Sequence, residues 1–154
     1  MEEAQFTQTA TAFSLSCGVA IDVKASAATI WDILTNAEEF PRWNSTVAGI
    51  EGKIRDGAKI TIRVPGTDRT FSPRVSLEAP GQRMVWIGGF SPLFKGVRTF
   101  ELTPGNSGST RFVMNERFSG LMIPMIKSKL PDFAPIFRRY ANDLKTEAER
   151  SGQP

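Results

Sequence analysis

The stretch FSLSCGVAIDVKASAATIWDILTN, residues 13–36, changes its period once, and that change sets the fold. Phe13, Leu15, Cys17, Val19, Ile21 and Val23 hold the odd positions, while Ser14, Ser16, Gly18, Ala20, Asp22 and Lys24 hold the even ones. Strict alternation over that length predicts a strand with one buried face. At Ser26 the pattern turns helical. The serine can cap an N-terminus, and Ile30, Ile33, Leu34 and Ala37 follow at helical spacing. Asn36 offers a second cap for a short turn ending at Pro41. One strand followed by two short helices is the expectation.

Downstream of Trp43 period two returns, punctuated by the turn residues Asp56 and Gly57, Pro65 and Gly66, Pro80 and Gly81, and the run Pro104 to Gly108. Strands are expected near 47–54, 58–64, 69–78, 82–90, 96–103 and 109–118, joined as antiparallel hairpins because the linkers are too short for crossovers. From Leu130 the spacing changes again: Leu130, Phe133, Phe137, Tyr140, Leu144 and Ala148 recur every three or four residues, with Arg138, Lys145 and Glu149 between them. That is a long amphipathic helix. Pro124, Pro131 and Pro135 lack an amide donor and break or kink it in its first third. The chain therefore reads as α+β: a seven-stranded curved antiparallel sheet around a long C-terminal helix, with two short helices after the first strand. It forms a single domain over residues 1–154, with 1–10 expected to be flexible and 151–154 a tail.

Composition agrees with one core. The 154 residues are 40% hydrophobic and 23% charged, with 11 Phe and 3 Trp, enough for one sizeable interior but not for two. Histidine is absent and Cys17 is the single cysteine. A Ser/His/Asp or Cys/His nucleophile pair is therefore impossible, as are a closed zinc site, a His-ligated haem and an internal disulfide. No cofactor or metal is implied. Cys17, on the apolar face of its strand, reads as a small buried hydrophobe. Lys and Arg number 19 against 16 Asp and Glu, a net charge of +3 and a pI near 9.3. These charges are scattered, and Arg138 and Arg139 are followed by Asp143, Glu147 and Glu149, so a solvated helix face is favoured over a nucleic-acid partner. The N-terminus Met1, Glu2, Glu3 lacks the basic and apolar regions of an export signal. The longest apolar run, Phe118 to Ile126, is interrupted by Ser119, Gly120 and Pro124 and falls far short of the roughly 20 residues of a membrane helix. A cytoplasmic address without a membrane span follows as an expectation.

A sheet of this size twists and curls, and one helix about 10–12 Å across laid in its concave face need not fill the space. An apolar hollow between helix and sheet, of the kind that binds small molecules, is expected. The alternative is a fully packed α+β core.

Several segments carry a family resemblance. Ile21 to Trp43, with Ala25, Ile30, Trp31, Leu34, Phe40, Trp43 and then Asn44, resembles the opening of the START-like superfamily, also called SRPBCC or the Bet v 1-like helix-grip fold. So do Val75 to Trp86 with its Pro80 and Gly81 turn, the Gly96 to Pro104 strand, and Glu116, Arg117, Phe118, Ser119 and Gly120 leading into the last helix. The chain is most similar to the bacterial polyketide cyclase/dehydrase-like branch. That resemblance implies a helix-grip fold and a ligand cavity, in a superfamily spanning lipid carriers, hormone receptors, cyclases and chaperone activators. Fold alone does not fix function.

Strand parity then nominates the cavity wall. Phe100 and Leu102 point inward, which puts Arg98 on the same face, and Phe112, Met114 and Phe118 share parity with Glu116 on the hairpin partner. The turn at 104–108 makes Arg98 and Glu116 either opposed or offset by two residues. An inward Arg beside an inward Glu is costly to desolvate unless the two pair, so an ion pair at one end of the pocket is expected. Relatives implied by the resemblance commonly carry His at the Arg98 position, so no acid/base role carries over from them. The candidate ligand-binding set is Trp43, Ile62, Trp86, Arg98, Phe100, Phe112, Met114, Glu116, Phe133, Phe137 and Tyr140; catalytic residues are not assigned. Arg98 would anchor a ligand carboxylate, phenolate or ketone while Glu116 holds its orientation. The bland reading is a structural pair at the sheet edge, or one turned to solvent by a bulge. Trp43 and Trp86 either stack on a ligand or pack the core, and the Tyr140 hydroxyl reaches a ligand oxygen or a backbone carbonyl. The run Leu121 to Ile126 suits a lid over the entrance or a homodimer contact.

The expected function is binding of a hydrophobic small molecule of lipid, polyketide or isoprenoid type. The alternatives are a cofactor-free cyclase or dehydratase using Arg98, Glu116 or Tyr140, and a protein-interaction module of chaperone-activator type.

Overall fold

A computed structural model describes residues 4–90 and 92–151. Strand β1 (Gln5–Thr11) turns through Ala12 and Phe13 into β2 (Ser14–Val23), whose alternating residues face the interior as the sequence requires. Helix α1 (Ala27–Thr35) starts at Ser26, whose hydroxyl accepts from the Thr29 amide at 3.1 Å. A single turn at Ala37–Glu39 follows, then α2 (Phe40–Trp43). The second short helix was expected to end at Pro41 but runs on to Trp43, because a proline in the first turn removes no intrahelical bond. Asn36 precedes it without a side-chain capping bond.

The remaining strands are β3 (Gly49–Glu51), β4 (Thr61–Arg63), β5 (Thr70–Phe71), β6 (Arg74–Ala79), β7 (Arg83–Phe90), β8 (Phe94–Pro104) and β9 (Thr110–Ser119). They do not form the single seven-stranded sheet expected. A six-stranded antiparallel sheet has the order β1-β2-β9-β8-β7-β6, and β3-β4-β5 form a second sheet of three. The two are joined by a bridge between Lys59 and Arg74 and by bonds from the Ile60 amide to Pro73 O and from the Val75 amide to Ala58 O. The strand expected over 69–78 is cut between Phe71 and Arg74, where Pro73 has no amide to give to a ladder. The segment 1–10, expected to be flexible, contributes from Gln5 an edge strand paired along its whole length with β2. Of the expected tail 151–154, Ser151 ends the last helix and the rest lies outside the described residues.

After β9 the chain forms one short helix, α3 (Ile123–Ile126), a turn at Lys127–Lys129, and then the long α4 (Phe133–Ser151). The prolines break the C-terminal segment as expected. Pro135, in the first turn of α4, costs no bond. The core lies between the concave face of the six-stranded sheet and the stripe Phe137, Tyr140, Ala141, Leu144 and Ala148 of α4, with Ile30 and Leu34 of α1 closing one side. No helix among the described residues is long and apolar enough to cross a membrane.

Candidate functional site

Register decides what faces the helix. One rung of the sheet carries Gln8, Cys17, Glu116, Arg98, Trp86 and Val75, a single residue from each of the six strands. The next rung on one side is apolar: Phe6, Val19, Met114, Phe100 and Met84. The next on the other side is Ala10, Leu15, Phe118, Gly96 and Gly88, with two adjacent positions that have no side chain. A Cβ at Gly96 would touch the Phe118 ring at 3.6 Å and one at Gly88 would touch Pro73 at 3.8 Å, ordinary contact distances, so each position takes a methyl group without strain.

Arg98 and Glu116 are directly opposed, and Arg98 Nη2 lies 3.2 Å from Glu116 Oε1 with 20% and 13% of the two side chains exposed. The expected inward ion pair is present. The guanidinium also lies over two rings of α4, with Cζ 5.4 Å from the Phe137 centroid and 5.7 Å from that of Tyr140. Five buried side-chain donors have no hydrogen-bond partner among the described residues, Trp43 Nε1, Asn44 Nδ2, Trp86 Nε1, Arg98 Nε and Tyr140 Oη, and three of them belong to Arg98 itself and two of its neighbours. Arg98 and Trp86 are cross-strand neighbours on one face, and Tyr140 packs on both Arg98 and Phe100. An unsatisfied buried donor costs about 1–3 kcal/mol, so an acceptor that reached these atoms would stabilise the site.

Burial shapes the titration of the site. It pushes the Glu116 carboxyl above the usual range, with the Arg98 charge pulling the other way. The Tyr140 hydroxyl is pushed well above its ordinary value by burial, so it stays a neutral donor. The Cys17 thiol, opposite Glu116, is pushed up to about 11 by burial and then by the Glu116 and Asp132 charges. It is no nucleophile, in keeping with its reading as a buried hydrophobe.

The expected hollow is filled at the level of the apolar rung. Phe100, Phe112, Met114, Phe137 and Tyr140 are fully buried, and Trp43 and Trp86 nearly so. Trp86 meets Phe100 at 4.8 Å and Trp43 meets Tyr140 at 6.1 Å, which makes both tryptophans core residues. Arg98, Glu116, Phe133 and Ile62 remain half-buried. Toward the glycine rung the rings are looser in exposure: Phe94 stacks on Phe118 at 5.9 Å, Phe118 on Phe133 at 5.2 Å, and all three are half-buried. Phe94 precedes the strand expected from residue 96, because β8 starts two residues earlier, and it shares parity with Arg98. The site is thus a half-buried charged pair beside buried donors, between a packed aromatic core and the three half-buried rings Phe94, Phe118 and Phe133, while the clefts found among the described residues lie along the other end of α4, near Lys24 and Arg42.

Residues 13–149 match the sequence model of the family described as polyketide cyclase / dehydrase and lipid transport. The chain belongs to this family. Strand β1 precedes the matched residues, which begin at the turn into β2. A START superfamily protein from Mycobacterium smegmatis is similar, with 19% identity, TM-score 0.66, and coverage of 88% of this chain and 98% of that one. A conserved protein of unknown function from Enterococcus faecalis aligns with 18% identity and TM-score 0.66, over 97% of this chain and 80% of its own. The di-domain ARO/CYC protein StfQ from the steffimycin biosynthetic pathway aligns with 14% identity and TM-score 0.69, over 92% of this chain and 54% of that one. At such identities the likeness carries the START-like fold and nothing finer. No curated protein matches the chain at a significant level. Polyketide cyclase/dehydrase family membership confirms the fold expected from sequence and leaves the ligand to the site itself.

Proposed function

We propose that the protein binds an apolar small molecule that carries an acceptor oxygen, seated at the mouth between Phe118, Phe133 and the glycine rung, with the oxygen on Arg98. The observation that carries this reading is that Arg98 Nε and the donors of two neighbours of Arg98, Trp86 Nε1 and Tyr140 Oη, are buried without protein acceptors. A carboxylate, phenolate or ketone would satisfy them, and hydrogen bonds to a charged group are worth about 1.5–3 kcal/mol each. Glu116 holds the guanidinium in place and neutralises it while the site is unliganded. Family membership supports a small, apolar partner of lipid or polyketide type.

Calorimetry with anilinonaphthalene sulfonate, an apolar anion, tests this. Arg98→Met should weaken binding by about tenfold or more, which is the worth of one charged hydrogen bond. Gly96→Val leaves the side chains of the pair unchanged and crowds the Phe118 ring at the proposed seat, and should weaken binding as well. Unchanged affinity in both variants overturns the reading.

A second reading, a cofactor-free cyclase or dehydratase, is favoured by one feature: burial raises Glu116 toward the range where a carboxyl can carry a proton, beside a guanidinium able to hold a developing oxyanion. Glu116→Gln separates the two. Retained binding with loss of turnover of an aromatic polyketide supports catalysis; retained binding with no turnover in either protein supports a carrier. Native mass spectrometry of protein purified from its own host identifies the class of ligand.

A further inference from the structure

Three segments meet beyond the glycine rung to form one end of the molecule: the turn between β1 and β2, the turn between β7 and β8, and the stretch from Gly120 through α3. They are tied by backbone bonds from the Gly120 amide to Phe13 O at 3.1 Å, Leu121 to Pro92 O at 3.0 Å and Met122 to Leu93 O at 3.0 Å. Lys127 Nζ reaches Thr11 O at 3.3 Å. This end is therefore a built surface and not a set of separate loops.

It is also where apolar side chains meet water. Among the described residues six large hydrophobics are exposed, and four of them are here: Phe13 (52%), Leu93 (43%), Leu121 (59%) and Met125 (73%). Singly exposed hydrophobics need no explanation, but a cluster of four on one tip does. Around them the charge is one-sided. Residues 11–14, 92–95 and 117–132 contain Lys95, Arg117, Lys127 and Lys129 against the single anion Asp132, in a chain whose whole net charge is +3. None of these four cations forms an ion pair among the described residues.

We propose that this tip docks on an anionic lipid surface, with Phe13, Leu121 and Met125 entering the apolar boundary and Lys127 and Lys129 meeting the headgroups. Apolar insertion flanked by lysines is the chemistry of interfacial binding, whereas a self-association patch has no use for four unpaired cations brought face to face with their copies. The half-buried rings Phe94, Phe118 and Phe133 stack in a row that reaches Phe137, over which the Arg98 guanidinium lies. Docking would hold the mouth of the site against the bilayer. The proposal goes beyond the ligand-binding reading and does not depend on it.

The test is co-sedimentation of the full chain with vesicles of phosphatidylcholine alone and of equal parts phosphatidylcholine and phosphatidylglycerol, without added ligand. The wild type should bind the anionic vesicles about tenfold more tightly or better, and salt should weaken that binding. The double substitutions Leu121→Ser with Met125→Ser, and Lys127→Glu with Lys129→Glu, should each reduce it by about tenfold. Circular dichroism checks that these exposed positions leave the fold unchanged. Absence of anionic-vesicle binding overturns the proposal, as does binding that neither pair affects. So does a dimer in sedimentation velocity that Leu121→Ser with Met125→Ser splits, because the tip would then face a second copy. Anilinonaphthalene sulfonate binding should be the same in both double variants and the wild type, which keeps a failure here distinct from a failure of the ligand site.

Discussion

Arg98 has two kinds of neighbour, a carboxylate on the adjacent strand and two aromatic faces on α4, and neither uses its Nε. Parity in the sequence put Arg98 and Glu116 on one face but left them opposed or offset by two, and it is the unbroken pairing of β8 with β9 that sets them directly opposite. The same parity could not tell that Trp86 Nε1 and Tyr140 Oη would be left without acceptors, because partnering depends on side-chain rotamers and not on period. Gly120 is a residue whose role at the tip can be tested by one atom. Its φ is +133°, and an added Cβ would lie 2.3 Å from the Leu93 carbonyl oxygen. That oxygen accepts from the Met122 amide, so it cannot retreat without breaking the bond that joins two of the three tip segments. Gly120→Ala should therefore destabilise the protein by about 1–3 kcal/mol in urea unfolding. A loss below about 0.5 kcal/mol would mean that the junction relaxes freely.

Among the elements, β1 was the one the sequence concealed. Its residues QFTQTAT place Gln5, Thr7, Thr9 and Thr11 on one face and Phe6, Gln8 and Ala10 on the other, so both faces are largely polar and period two has no contrast to display. The strand exists because β2 offers it a complete ladder, and seven residues pair. Pro73 is the converse case. Its missing amide was visible in the sequence, yet the alternation around it suggested continuity, and tertiary pairing with Ile60 used the break to hand the chain from one sheet to the other. What holds β1 down besides its ladder is Phe6, whose ring meets Phe137 edge-on at 5.8 Å and lies under the Arg138 guanidinium at 5.7 Å. Phe6→Ala should cost about 1–3 kcal/mol in urea unfolding and speed hydrogen exchange of the β1 amides more than those of β8 and β9. If neither changes, backbone pairing alone docks the strand.

At the scale of the molecule, the order of elements and the grip of sheet on helix were legible, because period and turn chemistry are properties of short windows. The degree of filling was not, because it depends on how side-chain volumes interdigitate across elements distant in sequence. The clamp at the far end of α4 is of that second kind. Three carboxylates of the helix each reach a segment outside it: Asp143 Oδ2 accepts from the Ser45 amide after α2 at 2.8 Å, Glu147 pairs with Arg42 of α2 as well as with Arg150 of its own helix, and Glu149 Oε2 accepts from the Lys24 amide after β2 at 2.9 Å. The bond from Arg42 is the main cause that holds the Glu147 carboxyl below its ordinary value, with Arg150 adding to it. Burial pushes Glu149 up, but Lys145 and the Lys24 amide together bring it below. Both groups are acids whose folded value is lower than the unfolded one near 4.5, so the unfolded chain takes up protons first as the solution is acidified. The stability they contribute is complete above that value and is lost as pH falls from it through the folded values. Chemical denaturation across this range should therefore show stability falling below about pH 4.5, and the double variant Glu147→Gln with Glu149→Gln should be less stable at neutral pH but have a flatter acid limb. An acid limb as steep in the double variant as in the wild type would remove the clamp as the acid-labile element and direct attention to the exposed pairs Arg83–Glu101 and Arg111–Asp22, which are screened by solvent and expected to contribute little.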